Sequence, residues 1–276
     1  MSILISAQDL ATDIHAGKPF TLLASHWDPH EGAGENEFRS LHIPTARFCD
    51  AAAATAGIPG STVGRNPLPD PDQLQEWFDR WGLRQGRPVV VYDEGRGLLA
   101  ARAWWILRWA GVDNVRILNG GLAKYRAEGL PTLVGPGAVA MGSDVKVRPG
   151  SVKVATIDDV KAHDGILLDT REHNRFTGHR EILDLKAGHI PGAVNLPERE
   201  LLNEDRTFKS EDQIRELFTN AGITTGENVI VYSGSGNHSA QALAAMEMIG
   251  LTGAAHFVGG WSQWSANPRN PVERGE

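Results

Sequence analysis

Short apolar runs alternate with amphipathic stretches along the chain, and the alternation predicts strands interleaved with helices. In the first half, Thr21-Leu22-Leu23-Ala24, Pro88-Val89-Val90-Val91-Tyr92 and Val115-Arg116-Ile117-Leu118 suit buried parallel strands. In the second half, Ile166-Leu167-Leu168-Asp169, Val229-Ile230-Val231 and His256-Phe257-Val258 play the same part. Between them, Asp70-Pro71 offers an N-cap followed by a proline in the first helical position, and Ser210-Glu211-Asp212-Gln213 reads as a capping box. The pattern implies an α/β fold with mainly parallel sheets covered by helices on both faces.

The pattern also repeats. Tyr92 and Tyr232 lie 140 positions apart, and the same shift carries Asp72-Gln73-Leu74 onto Asp212-Gln213-Ile214. A shift of 139 carries Gly120-Gly121 onto Gly259-Gly260, and a shift of 147 carries His42-Ile43-Pro44 onto His189-Ile190-Pro191. The expected organisation is therefore two domains, 1–132 and 153–276. A linker over 133–152 fits between them, where Gly135-Pro136-Gly137 and Arg148-Pro149-Gly150 interrupt any periodicity.

Composition narrows the chemistry. At 276 residues the chain has room for two cores. A formal net charge of −7 with no basic block gives nucleic acid or an acidic membrane no electrostatic foothold, so neither partner is expected. Met1 to Asp9 has no basic segment followed by a sustained apolar run, which leads to the expectation of a soluble, cytoplasmic protein. One cysteine, Cys49, excludes an internal disulfide and offers no zinc cluster, and the ten histidines lack metal-ligand spacing. No metal or cofactor is expected.

The most informative segment is Asn228 to Ile249. A buried strand ending at Tyr232 is followed by a loop, Ser233-Gly234-Ser235-Gly236-Asn237-His238, and then by a helix expected from Ser239. Two glycines let backbone N–H groups converge at a helix N-terminus, whose partial positive charge favours an anion. The backbone donors of Gly234, Ser235, Gly236, Asn237, His238 and Ser239 are the candidate cradle.

This loop resembles the Cys-Gly-Ser-Gly-Val-Thr active-site loop of the mercaptopyruvate branch of the rhodanese-like sulfurtransferases, with Ser233 at the cysteine position. Gly188-His189-Ile190-Pro191-Gly192-Ala193-Val194-Asn195-Leu196-Pro197, Asp169-Thr170-Arg171 with Arg175-Phe176, and Val258-Gly259-Gly260-Trp261 resemble further landmarks of that family in the same order. The resemblance implies two tandem rhodanese-like domains, the first non-catalytic, and transfer of sulfane sulfur from thiosulfate or 3-mercaptopyruvate to cyanide or a thiol. The transfer would run through a persulfide at position 233. A serine hydroxyl is a poor nucleophile toward sulfur and forms no stable persulfide analogue, so the chain as written is expected to be inactive or nearly so. The alternative is a natural pseudoenzyme that keeps the cradle to bind an anion or partner.

Other positions follow from the same resemblance. Arg175 matches the arginine that meets the substrate's carboxylate or sulfonate, against the plainer reading of a salt bridge with Glu172 or Glu181; Arg180 and Lys186 are candidates for a second cation. The family's proton-relaying histidine and its supporting aspartate fall at Asn66, within Gly64-Arg65-Asn66-Pro67-Leu68-Pro69, and at Ala52. His238 replaces a threonine and could ligate, donate to an anion, or merely pack. The first-half counterpart of the loop, Asp93-Glu94-Gly95-Arg96-Gly97, reads as a solvated strand-end turn. His42 and His189 are expected to bond backbone at their turns, and Cys49 to be a buried small hydrophobe. A phosphatase reading lacks both the cysteine at 233 and an arginine at 239 or 240, and a serine-hydrolase reading lacks the Gly-x-Ser-x-Gly frame.

Overall fold

The computed structural model describes residues 2–30 and 32–275. The chain forms two compact units, Met1–Gly57 with Pro69–Ser151 and Glu204–Thr207, and Ile58–Leu68 with Val152–Asn203 and Phe208–Glu276. Segment 58–68, inside the expected first domain, packs with the second unit. Of the expected linker 133–152, residues 133–151 belong to the first unit, tied to it by backbone bonds such as Leu133 N–H to His42 C=O at 2.8 Å and Ala138 N–H to Ala46 C=O at 2.8 Å.

The first unit runs β1 (Leu4–Ile5), α1 (Ala7–His15), β2 (Thr21–His26), α2 (Ala33–Ser40), β3 (Ala46–Asp50), α3 (Ala51–Thr55), α4 (Pro71–Trp81), β4 (Val89–Tyr92), α5 (Leu98–Trp109), β5 (Val115–Leu118) and α6 (Gly121–Ala127). Its strands form one parallel sheet in the order β1-β5-β4-β2-β3. Helix α4 shows how sequence sets local structure. The Asp70 carboxylate accepts the Asp72 and Gln73 N–H groups, Pro71 presets the first turn, and Leu74, Phe78 and Trp81 at helical spacing bury one face. Gly82 ends the helix at φ +55°, a conformation in which a side chain is strained.

The second unit runs α7 (Ile157–Ala162), β6 (Ile166–Asp169), α8 (His173–Phe176), β7 (Val194–Asn195), a 3-10 turn (Glu198–Leu201), α9 (Glu211–Asn220), β8 (Val229–Tyr232), α10 (Asn237–Met248), β9 (Ala255–Phe257) and α11 (Gly260–Ala266). Its sheet is parallel in the order β7-β6-β8-β9. Central β8 is buried along its length, and Tyr232, Phe257, Trp261 and Trp264 form the aromatic part of the core. The repeat has a physical basis here. Ile43 N–H bonds the Tyr92 hydroxyl at 3.1 Å in the first unit, and Ile190 N–H bonds that of Tyr232 at 3.2 Å in the second. His42 Nδ1 donates to Phe38 C=O and His189 Nδ1 to Phe176 C=O, so both histidines close their turns. Among the described residues no helix is long and apolar enough to cross a membrane, and no group of three metal-ligating side chains is assembled.

Candidate functional site

The β8–α10 loop occupies the carboxyl end of the sheet, where open parallel sheets bind ligands. Helix α10 begins two residues earlier than expected, at Asn237, because Gly236 at φ +89° turns the chain straight into the helix. Asn237 and His238 thus belong to its first turn. The turn after β9 holds the loop from behind: Trp261 N–H donates to Ser233 C=O at 2.8 Å and Ser262 N–H to Gly234 C=O at 3.0 Å. Gly260 has φ +55°, and a Cβ there would run into the Ser233 carbonyl oxygen. With its carbonyls bound behind, the loop directs Gly236 N–H onto Ser233 Oγ at 3.0 Å. Ser233 is buried, and its hydroxyl continues a chain to Ser239 Oγ at 3.1 Å and on to His256 Nε2 at 2.7 Å.

The first unit repeats this construction around a carboxylate. Leu122 and Ala123 N–H groups bind the carbonyls of Asp93 and Glu94. Asp93 is 2% exposed, and its oxygens accept the N–H groups of Gly95, Gly97, Leu99 and Ala100 at 2.8 to 3.3 Å. Glu94 and Arg96 of this turn are exposed as expected, but Asp93 is buried. The aspartate supplies its own anion to the N-terminus of α5, which keeps it from water.

Two guanidiniums face the loop of the second unit. A Cβ built on Gly234 would lie 3.0 Å from Arg65 Nη2 and 3.4 Å from Arg175 Nη1. The placement of Arg65 depends on segment 58–68 joining this unit, with Arg65 N–H on Ser262 Oγ at 3.1 Å. The next residue, Asn66, donates to Ser235 Oγ at 3.2 Å and holds the expected histidine position with a neutral amide. The other candidate cations sit elsewhere. Arg180 is exposed, and Lys186 Nζ is spent on the carbonyls of Asn267, Pro268 and Asn270 after α11. Lysine is drawn there by unpaired carbonyls at a helix end.

Acids balance these cations. Arg175 Nη2 donates to both oxygens of Glu181 and to Asp184 Oδ2, each at 2.9 Å, and Arg65 Nη1 bonds Asp184 Oδ1. Glu181 is one of the two expected partners of Arg175, and the fold adds Asp184. Burial raises the Glu181 pKa, but the Leu183 N–H and the Arg175 guanidinium outweigh it and hold the carboxyl below its ordinary value. Behind them, fully buried Arg171 pairs with Asp169 and donates Nη2 to Gly188 C=O at 2.7 Å. Burial lowers the Arg171 pKa, and Asp169 more than restores it.

His238 lies 3.5 Å through Nδ1 from Glu198 Oε2, an acid that no motif in the sequence marks. Burial and Glu172 push the Glu198 carboxyl up to about 7, while burial and Arg175 push the His238 imidazole down to about 4. A native Glu198 that holds its proton more tightly than the unfolded chain loses stability as pH rises from 4.5 to about 7. Comparing Glu198→Gln with the parent by urea denaturation, the variant's advantage should grow by about 2–3 kcal/mol between pH 4.5 and pH 8. A pH-independent difference would show that Glu198 does not titrate there. Cys49 in the first unit is fully buried, as expected of a small hydrophobe, and burial pushes its thiol up to about 12, far from the thiolate a nucleophile needs.

The known proteins this chain matches agree with that geometry. The family profile described as Rhodanese-like domain matches residues 32–128 and 154–267. The chain is 38% identical over 277 residues to the Mycobacterium tuberculosis protein named "Putative thiosulfate sulfurtransferase SseB", covering 99% of this chain and 97% of the other. It is 33% identical over 247 residues to the 3-mercaptopyruvate sulfurtransferase of Escherichia coli, covering 86% and 85%. Among solved structures, SseA from Escherichia coli, described as a 3-mercaptopyruvate sulfotransferase with the rhodanese fold, superposes with a TM-score of 0.80 at 28% identity over 95% of this chain and 100% of that one. With a duplicated parallel sheet, the strand-loop-helix cradle and these matches, the chain belongs to the rhodanese family, as a tandem-domain member related to the sulfurtransferases.

Proposed function

We propose that the second unit is a sulfane-sulfur transfer site whose chemistry runs through position 233, and that with serine there the chain binds a donor anion without turning it over. The observation that carries this reading is the convergence of Gly236 N–H on residue 233 beside the Arg65 and Arg175 guanidiniums at Gly234. A thiolate at 233 would attack the outer sulfur of thiosulfate and release sulfite. The resulting persulfide would pass that sulfur to cyanide, giving thiocyanate, or to a thiol. The serine hydroxyl lacks this reactivity and leaves only the binding step. The cytoplasm, where free thiols are plentiful, suits such an acceptor.

A second reading, a natural pseudoenzyme, is supported by the fit of the serine itself. Its hydroxyl is bonded to both Gly236 N–H and Ser239 Oγ, as expected of a chain adapted to serine. Both readings predict anion binding. Thiosulfate titrated into the protein should move the amide resonances of Gly234 to Ser239, with affinity falling as salt rises, and Arg175→Ala should weaken it about tenfold. Resonances that stay still, or move equally in Arg175→Ala, would remove the anion site from this loop.

A further inference from the structure

Segment 181–185 is inverted relative to an ordinary surface loop. Its apolar residues face water, with Ile182, Leu183 and Leu185 exposed by 73, 63 and 82%, while the side chains of Glu181 and Asp184 are only 4 and 3% exposed. Hydrophobic burial opposes this arrangement, so the charge pairing on the inner side holds it. The two acids do different work. Glu181 Oε1 accepts the N–H groups of Ile182, Leu183 and Asp184 and thereby shapes the loop. The Asp184 carboxylate contributes no such turn. Its two oxygens lie one each on Arg65 and Arg175, the guanidiniums nearest Gly234.

We propose that Asp184 is the residue that sets the charge selectivity of this anion site: by spanning Arg65 and Arg175 it reduces the advantage of a doubly charged sulfur donor over a singly charged one. The inference rests on the anion-binding reading of the loop. The ionic groups in direct contact here are Arg65, Arg171 and Arg175 against Asp169, Glu181 and Asp184, so the cluster is balanced and an incoming anion meets a discounted field. Attraction to a fixed potential scales with ligand charge, so the carboxylate's effect on a dianion is twice that on a monoanion in free energy and the square in affinity. Arg175 Nε is buried with no hydrogen-bond partner among the described residues. Asp184 acts through the two arginines and is a positioning residue.

The test compares thiosulfate, a dianion, with methanesulfonate, a monoanion of similar shape, on the full-length protein. Asp184→Asn should tighten methanesulfonate about tenfold and thiosulfate about a hundredfold, and Asp184→Glu should return the ratio of the two affinities to the parent value. Thermal melting and retained amide dispersion check that the variants are folded. If Asp184→Asn changes both ligands by the same factor, or neither, Asp184 is structural and the proposal is overturned. If no form of the protein, parent included, binds either anion at the loop, the anion site itself is what fails.

Discussion

Ser233→Cys is expected to give the chain sulfur-transfer activity. In the cradle, Gly236 N–H and the N-terminus of α10 favour the charged form of whatever stands at 233, so the new thiol should alkylate with a pKa below that of a free cysteine. Thiosulfate should then load one sulfur onto Cys at 233, visible by mass spectrometry, and cyanide should discharge it as thiocyanate. Turnover of 3-mercaptopyruvate should lag by about a hundredfold or more, because protonating the departing enolate calls for a general acid and Asn66 is neutral. Cys49→Ala in the same background should change nothing, since that thiol is buried in the first unit. A variant that is folded yet takes up no sulfur from either donor would defeat the enzyme reading and leave the binding role. In the parent, any added sulfur should be absent from residue 233.

Asp169→Asn is expected to cost about 3–5 kcal/mol of stability, measured by urea denaturation. Both side chains of the Asp169–Arg171 pair are 0% exposed, so the amide would leave the buried guanidinium with only the more distant Glu181, at 3.7 Å, as counter-charge. The Arg171 guanidinium also lies 4.6 Å over the Trp261 ring and holds Gly188 C=O, linking the strand end to the His-Ile-Pro turn and to α11. The loss should therefore appear as a fall in the cooperative transition of the second unit. Replacing the exposed Lys153–Glu227 pair should have little effect, because water already solvates both partners. A cost under about 1 kcal/mol for Asp169→Asn would mean that water reaches the pair on relaxation.

The hydrophobic pattern by itself determined the α/β alternation, the parallel strands and the duplication, because buried parallel strands must be apolar on both faces and helices must carry an apolar stripe. The glycines in turn marked the β8–α10 loop, since only glycines permit the turn at Gly236 and the close approach at Gly260. Strands β1 and β7 escaped because each is only two residues long. The chemistry around the loop was a matter of tertiary structure. Segment 58–68 carries Arg65 and Asn66 into the second unit, and nothing local in Gly64-Arg65-Asn66-Pro67 announces that destination. Asp93 looked like a surface acid because its type is usually solvated, and four backbone N–H groups far from obvious in the sequence buried it instead. Lys186 and Arg175 are both cations near the His-Ile-Pro turn, yet one caps a helix end and the other faces Gly234. Charge and spacing nominate such residues, but which guanidinium meets which carboxylate depends on side-chain directions that only the packed chain fixes, and that is why Asp184 emerged from the fold and not from the sequence.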